Sequence, residues 1–199
     1  WHSLNRLQRE QMAAQKKHPS MTEAIACLDR VLGVSSSLTG FAMDNMTRDD
    51  GWRFLIIGRR LERLSFLSQT LASFLRMGAA ERAGCLEWLL ELADSIITYR
   101  SRSSRTPELL PVLDLLVFDD SNPHGVLFQG MALARYLDRL CRDLALPRED
   151  RLALALDDLR SFDLTRFEQG GGLRRRQGSP IDGLAVRLTM QAKTPGASL

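Results

Sequence analysis

One carboxylate among arginines is the group in this sequence with the clearest potential for chemistry. Glu62 lies in a stretch with helical periodicity, one turn from Arg59 and next to Arg63. A carboxylate in such a setting can exchange protons as an acid or base, with Asp49 as a second acidic candidate. Its arginines can also bind the carboxylate of a ligand. The competing interpretation is a surface ion pair, which contributes little to stability.

Other chemical motifs are absent from the sequence. There is no phosphate-binding Walker loop, no dinucleotide fingerprint and no nucleophile elbow. The sequence has only three histidines, which lie far apart, so we predict no metal site and no cofactor. The run of arginines at 174–176 has no aromatic residues between its members. It therefore favours a solvated loop over a nucleic-acid site.

The helix that carries Glu62 organises the rest of the chain. Asp49 and Asp50 are suited to its first turn, where carboxylates cap free N–H groups, and Gly78 is a plausible end. Apolar residues recur at spacings of three and four, which predicts a buried seam: Phe54, Ile57, Leu61, Leu64, Leu71 and Leu75. Glu62 falls on a second stripe, a quarter-turn from that seam: Leu55, Gly58, Glu62, Ser65 and Gln69. The small neighbours Gly58 and Ser65 suggest that another helix approaches and that Glu62 is partly buried against it.

The remaining segments are also predicted to be helical. Ser20 and Glu23 have the spacing of a capping box. Asn122 and Pro123 are suited to the cap and first residue of another helix. The predicted helices cover residues 3–17, about 20–43, about 49–78, 80–102, 107–118, 123–144 and 147–167. No stretch alternates like a strand, so we predict an all-α bundle of about six to eight helices without a sheet.

Composition predicts an ordinary soluble protein. Hydrophobic residues make up 44% of the 199 and charged residues 26%, and no apolar run is long enough to cross a bilayer. The net charge of +3 comes from residues 161–199, which hold six basic and three acidic groups. Three isolated cysteines indicate buried thiols in a reducing compartment, and we expect a cytoplasmic location. The expected organisation is a helical bundle over 1–168, a loop rich in glycine and arginine over 169–180, and a short helix with a tail over 181–199.

Four segments, in this order, resemble the bacterial alpha-E family. They are residues 46–54 continuing to Gly58-Arg59-Arg60-Leu61-Glu62-Arg63, then Tyr99-Arg100, then residues 115–119, and last Asn122-Pro123. The resemblance covers about residues 1–165. Family members resemble a tandem of two related halves. This chain resembles the second half, which implies that it is an N-terminally incomplete copy. His124-Gly125 stands where members more often carry Arg-Ser, and Asp49 replaces a common Glu.

The resemblance implies a context. Alpha-E domains occur beside, or fused to, circularly permuted ATP-grasp ligases and transglutaminase-like proteins, so the implied system makes or trims a peptide-like amide bond. The leading hypothesis is an accessory helical module that binds the ligase or its peptide substrate. The binding candidates are Arg48, Arg59, Arg63, Tyr99, Arg100 and Asn122.

Two alternatives remain from the sequence. One is an enzyme in which Glu62 and Asp49 form an acid–base or carboxylate site; the other is a purely structural bundle. A buried Glu62 that converges with Tyr99, Arg100 and Asn122 would favour binding or catalysis, whereas an exposed Glu62 would favour the structural hypothesis. The sequence gives no indication of a membrane partner and leaves the oligomeric state open.

Overall fold

The computed structural model describes residues 5, 6, 8, 9, 20–103, 106–147 and 150–164. Every regular element in these ranges is helical, and none is a strand, which confirms the predicted all-α fold. Most of the predicted helix 3–17 lies outside the described residues. So do the end of the helix predicted to reach 167, the loop 169–180 and the segment 181–199.

Seven α-helices follow one another in the described part of the chain. They are α1 (Met21–Asn45), α2 (Asp50–Arg76), α3 (Cys85–Leu92), α4 (Ile96–Arg102), α5 (Leu109–Leu113), α6 (Val126–Asp143) and α7 (Arg151–Arg160). A short 3₁₀ turn (Ala79–Glu81) follows α2, and a π-helical turn (Asp114–Phe118) continues α5.

The chain divides into two compact units, Trp1–Trp52 and Arg53–Leu199. In the first unit, the predicted capping box begins α1. Ser20 N–H donates to Oε2 of Glu23 over 2.8 Å, and Glu23 N–H donates to Oγ of Ser20 over 3.3 Å. These two bonds satisfy free N–H groups of the first turn, and the helix continues without a break through Gly33.

In the second unit, α2 packs its apolar face into the main core. The prediction is confirmed for Ile57, Leu64, Leu71 and Leu75, which are buried, whereas Leu61 is half-buried. It is wrong for Phe54, which is 55% exposed. The buried face of α2 also includes Ile56, Leu67 and Phe74, and these residues shift its centre around the helix, away from Phe54.

The helix predicted over 80–102 is divided into α3 and α4. Asp94, between them, has a φ of 50°, in the left-handed region that short polar residues tolerate better than most. The N–H of buried Ser95 then donates to the carbonyl oxygen of Leu90 over 2.8 Å. The chain therefore turns at Asp94 and Ser95 before α4 begins.

The three prolines predicted to open helices lie before those helices. The helices begin at Leu109, Val126 and Arg151, two to four residues after Pro107, Pro123 and Pro147. Asn122 therefore does not cap α6, whose N-cap is Gly125. A Cβ on Gly125 would lie 3.3 Å from three backbone carbonyl oxygens, so a tight turn occupies the place where a longer helix was expected.

Candidate functional site

Glu62 lies on the surface of the second unit. It is exposed and has neither a hydrogen bond nor an ion pair with any residue that the structure describes. At about 100° per residue, its position on α2 is almost opposite the centre of the buried face, not a quarter-turn from it. The expectation that Glu62 is partly buried is therefore wrong, and nothing described around it activates its carboxylate.

Tyr99 and Arg100 do not meet Glu62. The Tyr99 side chain is buried, and its hydroxyl oxygen accepts a hydrogen bond of 3.3 Å from the backbone N–H of Glu108, just before α5. Arg100 is exposed and has no ion pair in the described ranges. Its neighbour Arg102 instead contacts Asp119. Neither Tyr99 nor Arg100 therefore converges with Glu62, as a binding or catalytic site around Glu62 would have required.

Arg48 and Asp49 belong to the first unit. Asp49 Oδ1 accepts a hydrogen bond of 3.1 Å from the backbone N–H of Trp52, which is the predicted capping role at the start of α2. The guanidinium of Arg48 lies 4.4 Å from the centroid of the Trp52 ring, as a cation–π contact. Both side chains are exposed and have local structural contacts.

Two arginines of α2 are half-buried and turn toward the protein: Arg53, which pairs with Asp143 in α6 over 2.5 Å, and Arg60, which was not among the predicted site residues. The Nη1 of Arg60 donates to Oε1 of Gln129 in α6 over 3.0 Å, and its guanidinium lies 5.4 Å from the centroid of the Phe128 ring. Burial lowers the pKa of Arg60, and the charges of Arg59, Arg63 and Arg135 lower it further, against an opposing effect of Tyr136. An arginine pKa begins so high that the group stays charged.

Gln129 connects Arg60 to the turn before α6. Its side chain is fully buried, and Nε2 donates to the carbonyl oxygen of Pro123 while Oε1 accepts from Arg60. Because a buried amide without partners is costly, these two bonds fix the amide's orientation. Gln129 thereby holds the guanidinium of Arg60 beside the Pro123 turn.

Asn122 builds that turn from within. It is 1% exposed, and Nδ2 donates to the carbonyl oxygen of Leu115 over 2.9 Å and to Oγ of Ser95 over 3.3 Å. Its Oδ1 accepts from the backbone N–H of His124 over 3.1 Å. The π-helical turn leaves the Leu115 carbonyl available for this bond. Asn122 therefore acts in the structure by positioning His124.

His124 brings the turn next to α2. Its Nε2 lies 3.7 Å from Oδ2 of Asp94, on the link between α3 and α4. Burial lowers the pKa of His124, and the positive charge of Arg63 lowers it further, while Asp94 opposes both. The imidazole is thus mainly neutral at pH 7 and responds to charges placed near Arg63.

The result is a positively charged surface on α2 and α6. Arg59, Arg63 and Arg135 are exposed, and none forms an ion pair with a carboxylate among the described residues. Each of these three charges lowers the pKa of Arg60, so each lies near its guanidinium. Guanidinium groups bind carboxylate or phosphate oxygens, often in bidentate geometry. The surface is therefore suited to an anionic ligand, with Arg60 fixed at its inner edge.

The sequence contained a signal for the residues that were missed. Arg60 is four residues from both Ile56 and Leu64, which are buried, so it shares their side of α2. Gln129 stands between Val126 and Leu133 on the buried face of α6. Polar residues at such positions need partners, and Arg60 and Gln129 meet this need in each other.

Two further types of site are absent from the described ranges. No cluster of three or more histidine, cysteine, aspartate or glutamate side chains there is arranged to hold a metal ion. No helix there combines the length and apolar character that a membrane span requires.

The fold and surface define a class: an all-α module whose longest described helix, α2, carries an arginine face made of the exposed Arg59 and Arg63. The family follows from comparison: residues 1–185 match the Alpha-E family, described as a predicted alpha-helical domain with a conserved ER motif, and the chain belongs to it. The sequence has two Glu-Arg pairs, Glu62-Arg63 and Glu81-Arg82, and the first lies on the arginine face.

The chain is also similar to uncharacterised mycobacterial proteins. One from Mycobacterium bovis and two from strains of Mycobacterium tuberculosis are each 33% identical over 144 residues. The match covers 68% of this chain but only 15% of the length of each relative. No solved structure matches the chain.

Proposed function

We propose that this chain is a helical binding module that recognises a carboxylate-bearing partner through the arginine face of α2. One observation carries the proposal: Arg59, Arg63 and Arg135 cluster around Arg60 without a carboxylate partner in the described part of the chain. Clustered like charges repel, so a folded protein gains nothing from them unless an anion neutralises them. The anion that fits guanidinium groups in bidentate geometry is a carboxylate or a phosphate.

The resemblance to alpha-E proteins gives the proposal its context. We infer that the partner is a circularly permuted ATP-grasp ligase, or the peptide on which it acts, in a system that also includes a transglutaminase-like protein. Formation of an amide bond consumes a carboxylate, so an accessory module that binds carboxylates is chemically consistent with such a system. In this proposal, Arg59 and Arg63 contact the partner while Arg60, Gln129 and Asn122 support the site.

The two alternatives explain less of the structure. An acid–base enzyme would require an activated carboxylate, but Glu62 is exposed and Asp49 caps a helix. A purely structural bundle accounts for the exposed Glu62, because an exposed carboxylate was the result expected of that alternative. It does not account for three exposed arginines around a fourth that is held by a buried amide.

The experiment that tests this function is co-purification of the full-length protein with a circularly permuted ATP-grasp ligase and a transglutaminase-like protein of the kind that the family resemblance implies. The double substitution Arg59→Glu with Arg63→Glu reverses the charge of the exposed face, and we expect it to abolish association. Arg82→Glu is the matched control, because Arg82 is an exposed arginine of the other Glu-Arg pair. Equal association of both variants would contradict the proposal.

A further inference from the structure

The arginine face of α2 continues into exposed apolar side chains. Arg59, Arg63, Phe66 and Thr70 are spaced by four, three and four residues, so they lie on one side of the helix. Eleven residues at the helical rise span about 16 Å. Phe66, at the middle of this row, is 51% exposed. One side of α2 therefore presents positive charge at Arg59 and Arg63 and an aromatic ring in the following turn.

Phe66 lies at the rim of a shallow apolar depression between α2 and α3. Thr70 and Leu92 also line it, above five buried residues: Leu67, Leu71, Leu89, Ala93 and Leu116. Leu92 is 40% exposed, and Trp88, one turn before it on α3, is 54% exposed. Exposed aromatic residues close to arginines are the composition of interface centres.

The charged and apolar parts adjoin at a second place. Ala93 lines the depression, and the next residue, Asp94, approaches His124 at 3.7 Å. Arg63 is in turn close enough to His124 to lower the pKa of its imidazole. The arginines and the depression are thus neighbours both along α2 and across the link between α3 and α4, and they form one surface.

We propose that the partner presents an amphipathic α-helix to this surface, an inference that rests on the proposed function and specifies its ligand. Acidic side chains in one part of the partner helix contact Arg59 and Arg63. Large apolar side chains in its next turns cover Phe66 and Leu92. Such a helix is complementary to the surface, because it presents charged and apolar side chains at the same spacing as α2 and because helices pack along one another. A small acid or a nucleic acid would leave the apolar part uncovered.

A defined peptide tests the inference by fluorescence anisotropy with the full chain. The probe is a fluorescein-labelled, hydrocarbon-stapled helix with two glutamates one turn apart, followed by two leucines over the next two turns. We expect saturable binding that weakens about tenfold or more in either Arg63→Glu or Phe66→Ala. A peptide with lysines in place of the glutamates should prefer the Arg63→Glu variant to the unchanged protein. Phe54→Ala and Arg82→Glu are the matched exposed controls and should bind normally.

The possible results separate this inference from the proposed function. If an unstapled acidic peptide binds equally well and depends on Arg63 but not on Phe66, carboxylate recognition stands and the helical ligand is wrong. If no acidic peptide binds and a single-stranded oligonucleotide does, both are wrong. If Phe66→Ala dissociates a dimer of this chain without affecting peptide binding, the apolar surface belongs to a second copy and the inference is wrong.

Discussion

Arg60 donates a hydrogen bond of 3.0 Å from Nη1 to Oε1 of Gln129, and this contact joins α2 to α6 at the candidate site. The same amide donates to the carbonyl oxygen of Pro123, so one buried side chain orients both an arginine and a turn. The exposed arginines of the face lie around this fixed guanidinium. The contact is therefore the internal support of a surface whose other charges point to solvent.

Replacing the amide tests that support. Gln129→Leu replaces the amide with an apolar side chain of similar size and leaves Arg60 and the Pro123 carbonyl without their partner. We expect the free energy of unfolding to fall by about 1–3 kcal/mol, because half-buried polar groups lose hydrogen bonds. Chemical denaturation followed by circular dichroism measures it. The exposed Gln69→Leu on α2 is the control and should change stability by less than about 0.5 kcal/mol.

Gly130 permits the close packing of α6 against α7. A Cβ at this position would lie 2.4 Å from Cδ2 of Leu156, which is 3% exposed and has little room to move. We expect Gly130→Ala to lower the free energy of unfolding by about 1 kcal/mol or more, since overpacking outweighs the better helix propensity. Combining it with Leu156→Ala should cost less than the sum of the two single substitutions.

The matched glycine is Gly58 on α2, where an added Cβ meets no atom within 4 Å. There Ala gains helix propensity without a clash, so Gly58→Ala should raise the free energy of unfolding by about 0.5–1 kcal/mol. Equal effects of the two glycine substitutions would show that α7 does not pack closely at Gly130.

Glu62→Gln separates the roles proposed for this carboxylate. Because Glu62 is exposed and has no ion pair in the described structure, we expect the melting temperature to stay within a few degrees. Removing a negative charge beside Arg59 and Arg63 should leave binding of an acidic peptide unchanged or strengthen it. Loss of several kilocalories of stability would instead indicate a buried ion pair.

His124 makes stability depend on pH in a defined direction. Burial and Arg63 lower its pKa in the folded protein below 6.5, its ordinary value, so the unfolded chain binds the proton more readily. The free energy of unfolding therefore falls as the pH drops from about 6.5 through the lower, folded pKa. Denaturation of the wild type and of His124→Gln at a series of pH values measures this contribution. Identical pH dependence in both proteins would contradict it.

The sequence was sufficient for the fold because the helices carry strong periodic and capping signals. The Ser20–Glu23 capping box and the Asp49 cap both form as predicted. Helix boundaries were less accurate at Asp94, where the backbone turns, and after Pro123, where Gly125 lies against backbone carbonyl oxygens. Periodicity indicates which side of a helix is apolar. It does not indicate whether the helix begins at Pro123 or at Val126, because that depends on packing against other segments.

The site was harder to predict because it depends on the rotation of one helix. A shift of the buried face around α2 moves Glu62 to the outside and turns Arg60 inward. Ile56, Leu67 and Phe74 cause that shift because all three are buried, and Leu67 and Phe74 pack in a core whose other members lie far away in sequence. The arginine-rich segment was thus recognisable from the sequence, and the spacing of Arg60 from Ile56 and Leu64 indicated its buried side, whereas its pairing with Gln129 depends on packing between distant segments.

The central claim, that the arginine face of α2 binds carboxylates, is tested most directly by NMR of the arginine side chains. The Nε–Hε resonances of the isotope-labelled protein are followed during titration with a triglutamate peptide at constant ionic strength. We predict saturable shifts at Arg59 and Arg63 with one common dissociation constant, and only small linear shifts at the exposed Arg82 and Arg100. Equal, non-saturating shifts at all four arginines would contradict the claim.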